Sequence, residues 1–365
     1  MRRVPSIKRG AVFVNVALIF ICLIWLIPTV GLLVSSVRAP DDIQDSGWWT
    51  VLPHPDQVKV SEIPIPEGLD TNGVMTILGA TGTFEEFRAG IKTADGRQVT
   101  WVGNKRAGRI EIQESRLTAN TNLTLDNYAK VLTGKDYELT SPDGSIQVVH
   151  GDDMSGAFVN SLIVAIPSTL IPILVAAFAA YGFAWMRFPL RGVMFILVVA
   201  MLVVPLQIAL VPILRDYVTL GLNGTYLAVW LAHTGFGLAL AIFLLYNYIS
   251  ELPRDLMESA FIDGASHFQV FWRLIMPLSV PALAAFAIFQ FLWVWNDYLV
   301  ALIFIGAKSD TMVVTQRLAE IVGSRGDDWH LLTAGAFISM LLPLFVFFAL
   351  QRYFVRGLLS GSVKG

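Results

Sequence analysis

Six long apolar runs, at about residues 10–37, 157–185, 192–214, 225–249, 282–305 and 331–351, alternate with polar stretches along the 365-residue chain. Each approaches or exceeds the ~20 residues that a helix needs to cross a bilayer. The pattern predicts an all-α polytopic membrane protein with six transmembrane helices. Arg2, Arg3, Lys8 and Arg9 precede the first run, which is uncharged from Gly10 to Val37. A secretory signal has an apolar core of only about 7–15 residues, so this run reads as an uncleaved first span with its N-terminus in the cytoplasm.

From Arg38 to about Asp153 charges, Gly and Pro appear throughout, and no apolar stretch is long enough to span. Alternation at Val74–Leu78, Gln98–Val102 and Arg109–Gln113 predicts strands, with Asp95-Gly96 and Asp143-Gly144 as hairpin-turn signals. A short helix is expected around Phe84–Ala89. The region reads as a β-rich extracytoplasmic domain inserted between spans 1 and 2.

A second polar island, Leu252 to Pro281, separates two of the apolar runs. Pro253 suits the first turn of a helix, where its missing N–H costs nothing. Leu256, Ala260 and Asp263 recur at helical spacing, and Gly264 is the residue type that closes helices in a left-handed cap. Ser266 suits the N-cap of a second helix, His267 to Leu274, which Pro277 is expected to break or kink before the chain re-enters the membrane at Pro281. The island predicts a helix–Gly–helix elbow against a membrane face. An ordinary amphipathic loop helix remains the alternative.

Composition agrees with the apolar runs: 55% of residues are hydrophobic, 15% are charged, and the mean hydropathy is +0.62. A soluble domain carries roughly 25% charged residues. The formal net charge of −2 gives no sign of nucleic-acid binding. With an N-in start and six spans, Arg187, Arg191, Arg254, Arg273, Arg352, Arg356 and Lys364 all fall on the cytoplasmic side, as the positive-inside rule requires. Both termini are then cytoplasmic. The single cysteine, Cys22, lies inside an apolar run and makes no intrachain disulfide.

No catalytic constellation stands out. There is no G-x-x-x-x-G-K-[ST], so the chain is not itself an ATPase. The five histidines have no metal-ligand spacing, and the spans lack a series of acids and bases for proton relay. Pro167, Pro172, Pro205, Pro212 and Pro343 fall within spans, where they mark either a bundle around a pathway or mere helix distortion. In the fifth span, Gln290, Trp293, Asn296 and Asp297 recur at three- and four-residue steps and share one helical face. Amides, an indole and an acid there fit either a sugar pathway or polar glue between helices.

Several of these residues carry a resemblance. Glu258-Ser259-Ala260, Asp263-Gly264-Ala265 and Ile275-Met276-Pro277 resemble the EAA loop of the permease subunits of bacterial ABC importers. Ser259 and Met276 are mild departures from that pattern. Trp293 to Asp297 resembles the W-x-x-N-[DE] stretch of the fifth core span in sugar permeases. Phe158-Val-Asn-Ser-Leu162, Ala180-Tyr-Gly-Phe183, Arg187-Phe-Pro189, Pro205-Leu-Gln207 and Leu123 to Tyr128 are similar to further landmarks of that family. The tail, with Gln351, Arg352, Arg356 and Gly357 and its ending Gly361 to Gly365, resembles that of the maltose-type (MalG-like) permeases. The likeness covers about residues 1–37 and 123–365.

The resemblance implies a type I ABC importer permease of the bacterial inner membrane. The implied organisation is a first span over 1–37, an insertion over 38–153, a five-span core over 154–351 with its coupling loop at 250–281, and a cytoplasmic tail over 352–365. The implied partners are a second permease subunit, an ATP-binding subunit dimer that the elbow and tail reach, an extracytoplasmic sugar-binding protein and the lipid bilayer. No cofactor is implied in this chain, since ATP and Mg belong to the partner ATPase. The cargo implied is an α-glucoside or another di- or oligosaccharide, with a monosaccharide or glycerol phosphate as the alternative. An ATP-independent carrier or channel would need neither elbow nor tail, and a membrane-embedded enzyme would need facing acids, histidines or a nucleophile.

Overall fold

The computed structural model describes residues 9–66, 69–105, 108–134, 136–140, 146–150, 153–324 and 328–360. The chain divides into two units, residues 1–123 and 124–365.

The first unit begins with α1 (Arg9–Ser36), which is apolar on all sides and exposed along most of its length. Just past its end the Arg38 side chain is buried, and it donates to the Asp42 carbonyl at 2.6 Å and the Ser46 carbonyl at 2.9 Å. These contacts fix α2 (Pro40–Asp45) and the turn after it.

Strands β1 (His54–Pro64), β2 (Met75–Ile77) and β3 (Ala80–Gly82) follow, then α3 (Phe84–Ala89), β4 (Ile91–Lys92), β5 (Gln98–Val102) and β6 (Arg109–Thr118). One antiparallel sheet has the order β1-β6-β5-β4, and β2 pairs with β3. Alternation sets which face is buried: Val99 and Trp101 on β5 and Ile110 and Ile112 on β6 point inward, while Gln98 and Thr100 do not. Phe84 and Phe87 of α3 close this core, with Phe84 edge-on to Trp101 at 5.3 Å. The expected strands at 74–78, 98–102 and 109–113, the helix at 84–89 and the Asp95-Gly96 turn are all present, Gly96 at φ +85°. The long strand β1 has no clear alternation and was not anticipated.

The second unit is helical, with α4 (Asp126–Thr133) and a two-stranded pair, β7 (Asp136–Thr140) and β8 (Ile146–His150), ahead of the long helices. The Asp143-Gly144 turn expected between those strands lies outside the described residues. Helix α5 (Met154–Trp185) runs 32 residues unbroken through Pro167 and Pro172. It packs most extensively on α8 (Tyr226–Ser250). Ala165, Ala176, Ala177 and Ala180 of α5 and Ala228, Ala232 and Ala241 of α8 are all buried, and small residues let helix backbones approach.

Two expected spans are not single helices. The run at 192–214 folds as α6 (Arg191–Ala200), a 3-10 turn at Met201–Val203 and α7 (Leu206–Thr219), bent by 104°. Pro205 causes the break: it pushes Val204 to extended backbone (ψ 117°) and offers no N–H to continue the helix. The run at 282–305 folds as α12 (Val280–Asn296) and a separate short α13 (Leu299–Phe304). Among the described residues, four helices can each cross a membrane by length and composition, or up to six spans result if the bent pairs Arg191–Val203 with Leu206–Thr219 and His267–Leu278 with Val280–Asn296 each count as one.

Between α8 and α12 lie α9 (Arg254–Ile262), α10 (His267–Val270), a π-turn at Phe271–Ile275 and α11 (Met276–Leu278). The expected break at Pro277 does not occur. The π-turn, closed by Met276 N–H to the Phe271 carbonyl, places Pro277 in the first turn of α11, where its N–H is not required. The chain turns instead by 71° at buried Ser279.

The last elements are α14 (Val314–Ser324) and α15 (Trp329–Ser360). The residues expected as a tail from 352 therefore continue a helix as far as Ser360.

Candidate functional site

The elbow is built from a helix stop and a helix start placed back to back. Gly264 takes φ +82°, a conformation that costs an L-residue with a Cβ roughly 1–2 kcal/mol. Gly264 N–H donates to the Phe261 carbonyl at 3.0 Å, and Ala265 N–H to the Ala260 carbonyl at 2.9 Å. Those two bonds form a Schellman motif, and half-buried Ala260 and Ala265 supply its apolar contact. The small residues of the resemblance thus have a physical role at these positions. One residue later Ser266 caps α10: its hydroxyl accepts from Gln269 N–H at 3.3 Å, and the Gln269 side chain accepts from Ser266 N–H at 2.8 Å. Pro253 stands at the N-cap of α9, one position before the first turn.

The elbow has two faces. Met257, Val270, Phe271 and Ile275 are buried in the cluster that also holds Leu245, Ile249 and Phe286 of the long helices. Glu258, Ser259, Asp263 and Pro277 are exposed, as are Ile262 (85%) and Phe268 (67%). Ser259 spends its hydroxyl on its own helix, donating to the Asp255 carbonyl at 2.7 Å. Outside its packed face the elbow thus exposes the large apolar side chains of Ile262 and Phe268 together with the acids Asp255, Glu258 and Asp263.

The four residues expected on one face of the fifth span are not kept together. Gln290 is fully buried, and its amide donates to the Ser168 carbonyl of α5 at 3.2 Å and the His233 carbonyl of α8 at 3.3 Å. It ties three helices. Asn296 is exposed and donates to the Leu292 carbonyl of its own helix at 2.7 Å. Asp297 has left the helix (ψ 124°) and accepts from Val300 N–H at 2.7 Å, starting α13. Of the four, Trp293 alone lines a cavity: with Phe289 it borders a space of about 970 Å³ whose other walls include Val204, Ile213, Tyr217 and Phe236. A helix end at 296 separates the set, because an acid in an apolar run finds backbone N–H groups at a helix start.

At the C-terminal end Gln351 and Arg352 are exposed, and Arg352 donates to the Tyr353 hydroxyl at 2.8 Å. Arg356 and Gly357 lie on the same helix. No group of His, Cys, Asp and Glu able to hold a metal ion occurs among the described residues.

Two polar constellations were not assigned a role from the sequence. Asn160 on α5 donates to the carbonyls of Asp310 (2.9 Å) and Met312 (3.0 Å) and accepts from the Tyr226 hydroxyl at 2.8 Å. Next to it the Ser161 hydroxyl accepts from Val314 N–H at 2.8 Å. The pair pins the segment between α13 and α14 to the start of α5. At the other end of α5, Tyr181 meets His267 of the elbow, its hydroxyl 2.7 Å from Nδ1. The available signal was an amide, a hydroxyl and a phenol inside an apolar run, since polar groups in a span need partners.

Comparison with known proteins matches residues 157–360 to the family described as binding-protein-dependent transport system inner membrane component. The osmoprotective compounds uptake permease protein GgtD of Synechocystis sp. is 46% identical, over 96% of this chain and 91% of its own length. The alpha-glucoside transport system permease protein AglG of Rhizobium meliloti is also 46% identical, over 96% and 97%. The melibiose/raffinose/stachyose import permease protein MelC of Bacillus subtilis is 32% identical, over 58% and 77%.

Proposed function

We infer the function from one premise: the chain belongs to the binding-protein-dependent transport system inner membrane component family. It is a membrane transport subunit and not an enzyme. On that premise we propose that it is a permease of a type I ABC importer. It works with a second permease, a dimer of ATP-binding subunits that holds ATP and Mg, and an extracytoplasmic binding protein.

The elbow carries this reading. Its inner face is packed on the bundle while its outer face presents Ile262 and Phe268 beside Glu258 and Asp263. Exposed apolar side chains on a cap-defined elbow fit a protein partner better than water. Closure of the ATP-binding subunits displaces the elbow, and the bundle exchanges inward- and outward-facing states. The energy comes from the partner's different affinity for the two states.

The elbow and both termini lie on the cytoplasmic side, in keeping with Arg187, Arg191, Arg254, Arg273 and Arg352. The sheet-bearing stretch after α1 is then an extracytoplasmic insertion. Matches to GgtD and AglG span 96% of the chain, against 58% for that to MelC.

The cargo we propose is an α-glucoside or a similar di- or oligosaccharide. Trp293, Tyr217 and Phe236 in the cavity wall offer stacking surfaces for a sugar ring. A second reading, a small osmoprotective solute, is favoured by the equal identity to GgtD. The test is a mild-detergent pull-down of the tagged chain, followed by ATPase assay with binding protein loaded with maltose, sucrose or a small osmolyte. An ATPase that co-purifies and responds to one loaded protein supports the reading and selects the cargo class. A chain that purifies alone and transports passively in vesicles refutes it.

A further inference from the structure

The second arm of the elbow is seated on α5 through matched turns of two helices. His267 and Phe271 are one turn apart on the elbow, and Phe178 and Tyr181 are one turn apart on α5. Phe271 stacks on Phe178 with ring centroids 4.2 Å apart and planes at 19°, and it meets Tyr181 edge-on at 5.6 Å. The Tyr181 hydroxyl lies 2.7 Å from His267 Nδ1. Tyr181 is 4% exposed while His267 is exposed, so the bond ties the packed face of α5 to the open side of the elbow.

Among the described residues, two side-chain hydrogen bonds run from the long helices to the elbow. Besides Tyr181–His267 there is Tyr248 to the Leu278 carbonyl at 3.1 Å, beside the 71° turn that ends the elbow. The first arm enters the bundle by Met257, whose burial is apolar and resists sliding only weakly. A directional bond over a stacked pair is thus the firmest hold on the part of the elbow nearest the Gly264 corner.

What lies beyond that hold gives it a consequence. From Tyr181 to Asn160, α5 is one unbroken helix of 21 steps, roughly 32 Å at 1.5 Å per residue. At its far end Asn160 and Ser161 grip the backbone of Asp310, Met312 and Val314. The same helix is held midway by Gln290 at the Ser168 carbonyl.

We propose that Tyr181 and His267 are positioning residues for transport: their hydrogen bond, set on the Phe178–Phe271 stack, is the link by which movement of the elbow enters α5 and reaches the segment that Asn160 holds. The proposal rests on the reading of the elbow as the contact for the ATP-binding subunits.

The test uses the whole importer in lipid vesicles, with Cys22→Ser and Lys308→Cys leaving this chain one thiol, at an exposed position of the segment between α13 and α14. The readout is the change in thiol labelling rate when ATP and vanadate are added. Tyr181→Phe keeps the ring and removes the hydroxyl. His267→Ala removes the partner, and His267→Asn restores a polar atom near the Nδ1 position. Tyr181→Phe and His267→Ala are each expected to cut the ATP-dependent change roughly fivefold, the equilibrium weight of one net hydrogen bond. The double variant is expected to be no worse than either single one, and His267→Asn is expected to recover most of the response. Assembly with the ATP-binding subunits should persist in all of them.

If Tyr181→Phe assembles, hydrolyses ATP and labels as the parent does, the link is not there, and the functional reading stands. If the parent itself recruits no ATP-binding subunit, both fall together.

Discussion

Gln290 lies directly across Gly237: a Cβ at Gly237 would stand 2.6 Å from the Gln290 amide oxygen and 2.8 Å from its nitrogen. The absence of a side chain on α8 is what lets the amide of α12 reach the backbone of α5. Gly237→Ala is therefore expected to expel the amide from its seat and cost about 1–3 kcal/mol. A thermal melt of the purified subunit in detergent reads the loss, and an unchanged midpoint refutes the clasp.

Gln290 itself is expected to act on stability and not on cargo recognition. Gln290→Leu removes both bonds to the Ser168 and His233 carbonyls, worth about 0.6–2 kcal/mol within a membrane bundle. Trp293→Ala, by contrast, opens the cavity wall and should raise the apparent KM for cargo with little change in the melt. The two variants compared in the same transport assay separate the roles, and a KM change confined to Gln290→Leu would reverse them.

Replacing Gly264 with valine puts a β-branched residue at φ +82°, strained by roughly 1–2 kcal/mol or more. The bond between Ala265 and Ala260 is expected to open, so the corner no longer moves as a unit. Vesicles with the full importer should then hydrolyse ATP with little cargo uptake. Coupling equal to the parent's would remove the elbow from the mechanism.

Asn160 meets three partners at once, so Asn160→Ala leaves the Asp310 and Met312 carbonyls and the Tyr226 hydroxyl without it. Each buried group left unsatisfied costs about 1–3 kcal/mol. Amide hydrogen exchange is expected to accelerate at residues 309–316, with α12 and α8 beyond its first turn unaffected. Uniform acceleration through the bundle would instead mean a general loss of packing.

One acid-side prediction belongs to the capping box of α3. The Glu86 carboxylate accepts from the Thr83 backbone N–H at 2.7 Å and then from its hydroxyl at 3.0 Å, which together hold its pKa below the usual 4.5. A depressed carboxylate adds stability above the unfolded value and loses it as pH falls through the folded one. The parent should therefore be more stable than Glu86→Gln at neutral pH, and the two should converge as pH falls through the lowered pKa of the folded carboxylate. A constant difference down to pH 3 would show that the charge is not what matters.

Much of this protein is legible in its local side-chain patterns. Six apolar runs, a helix at Phe84–Ala89, a strand at Gln98–Val102 and the Gly264–Ser266 corner all follow from hydropathy, alternation and cap chemistry. Those signals act within a few residues. The strand His54–Pro64 was missed because its exposure does not alternate; its partner β6, some fifty residues later, defines it.

Where the apolar runs lie, the lack of a nucleotide-binding loop, and the stop and restart of the elbow each follow from a local pattern of side chains. Helix packing settles the rest. It split the set Gln290, Trp293, Asn296 and Asp297 among a helix clasp, a cavity wall, a self-bonded amide and a cap, and it bent the runs at Pro205 and Ser279 without a break at Pro277. It also brought Asn160 to Asp310 and Tyr181 to His267, pairs separated by 150 and 86 positions. A buried polar atom must find a donor or acceptor wherever the packed helices leave one. Helical periodicity gives a residue's own face, but only packing supplies what that face meets.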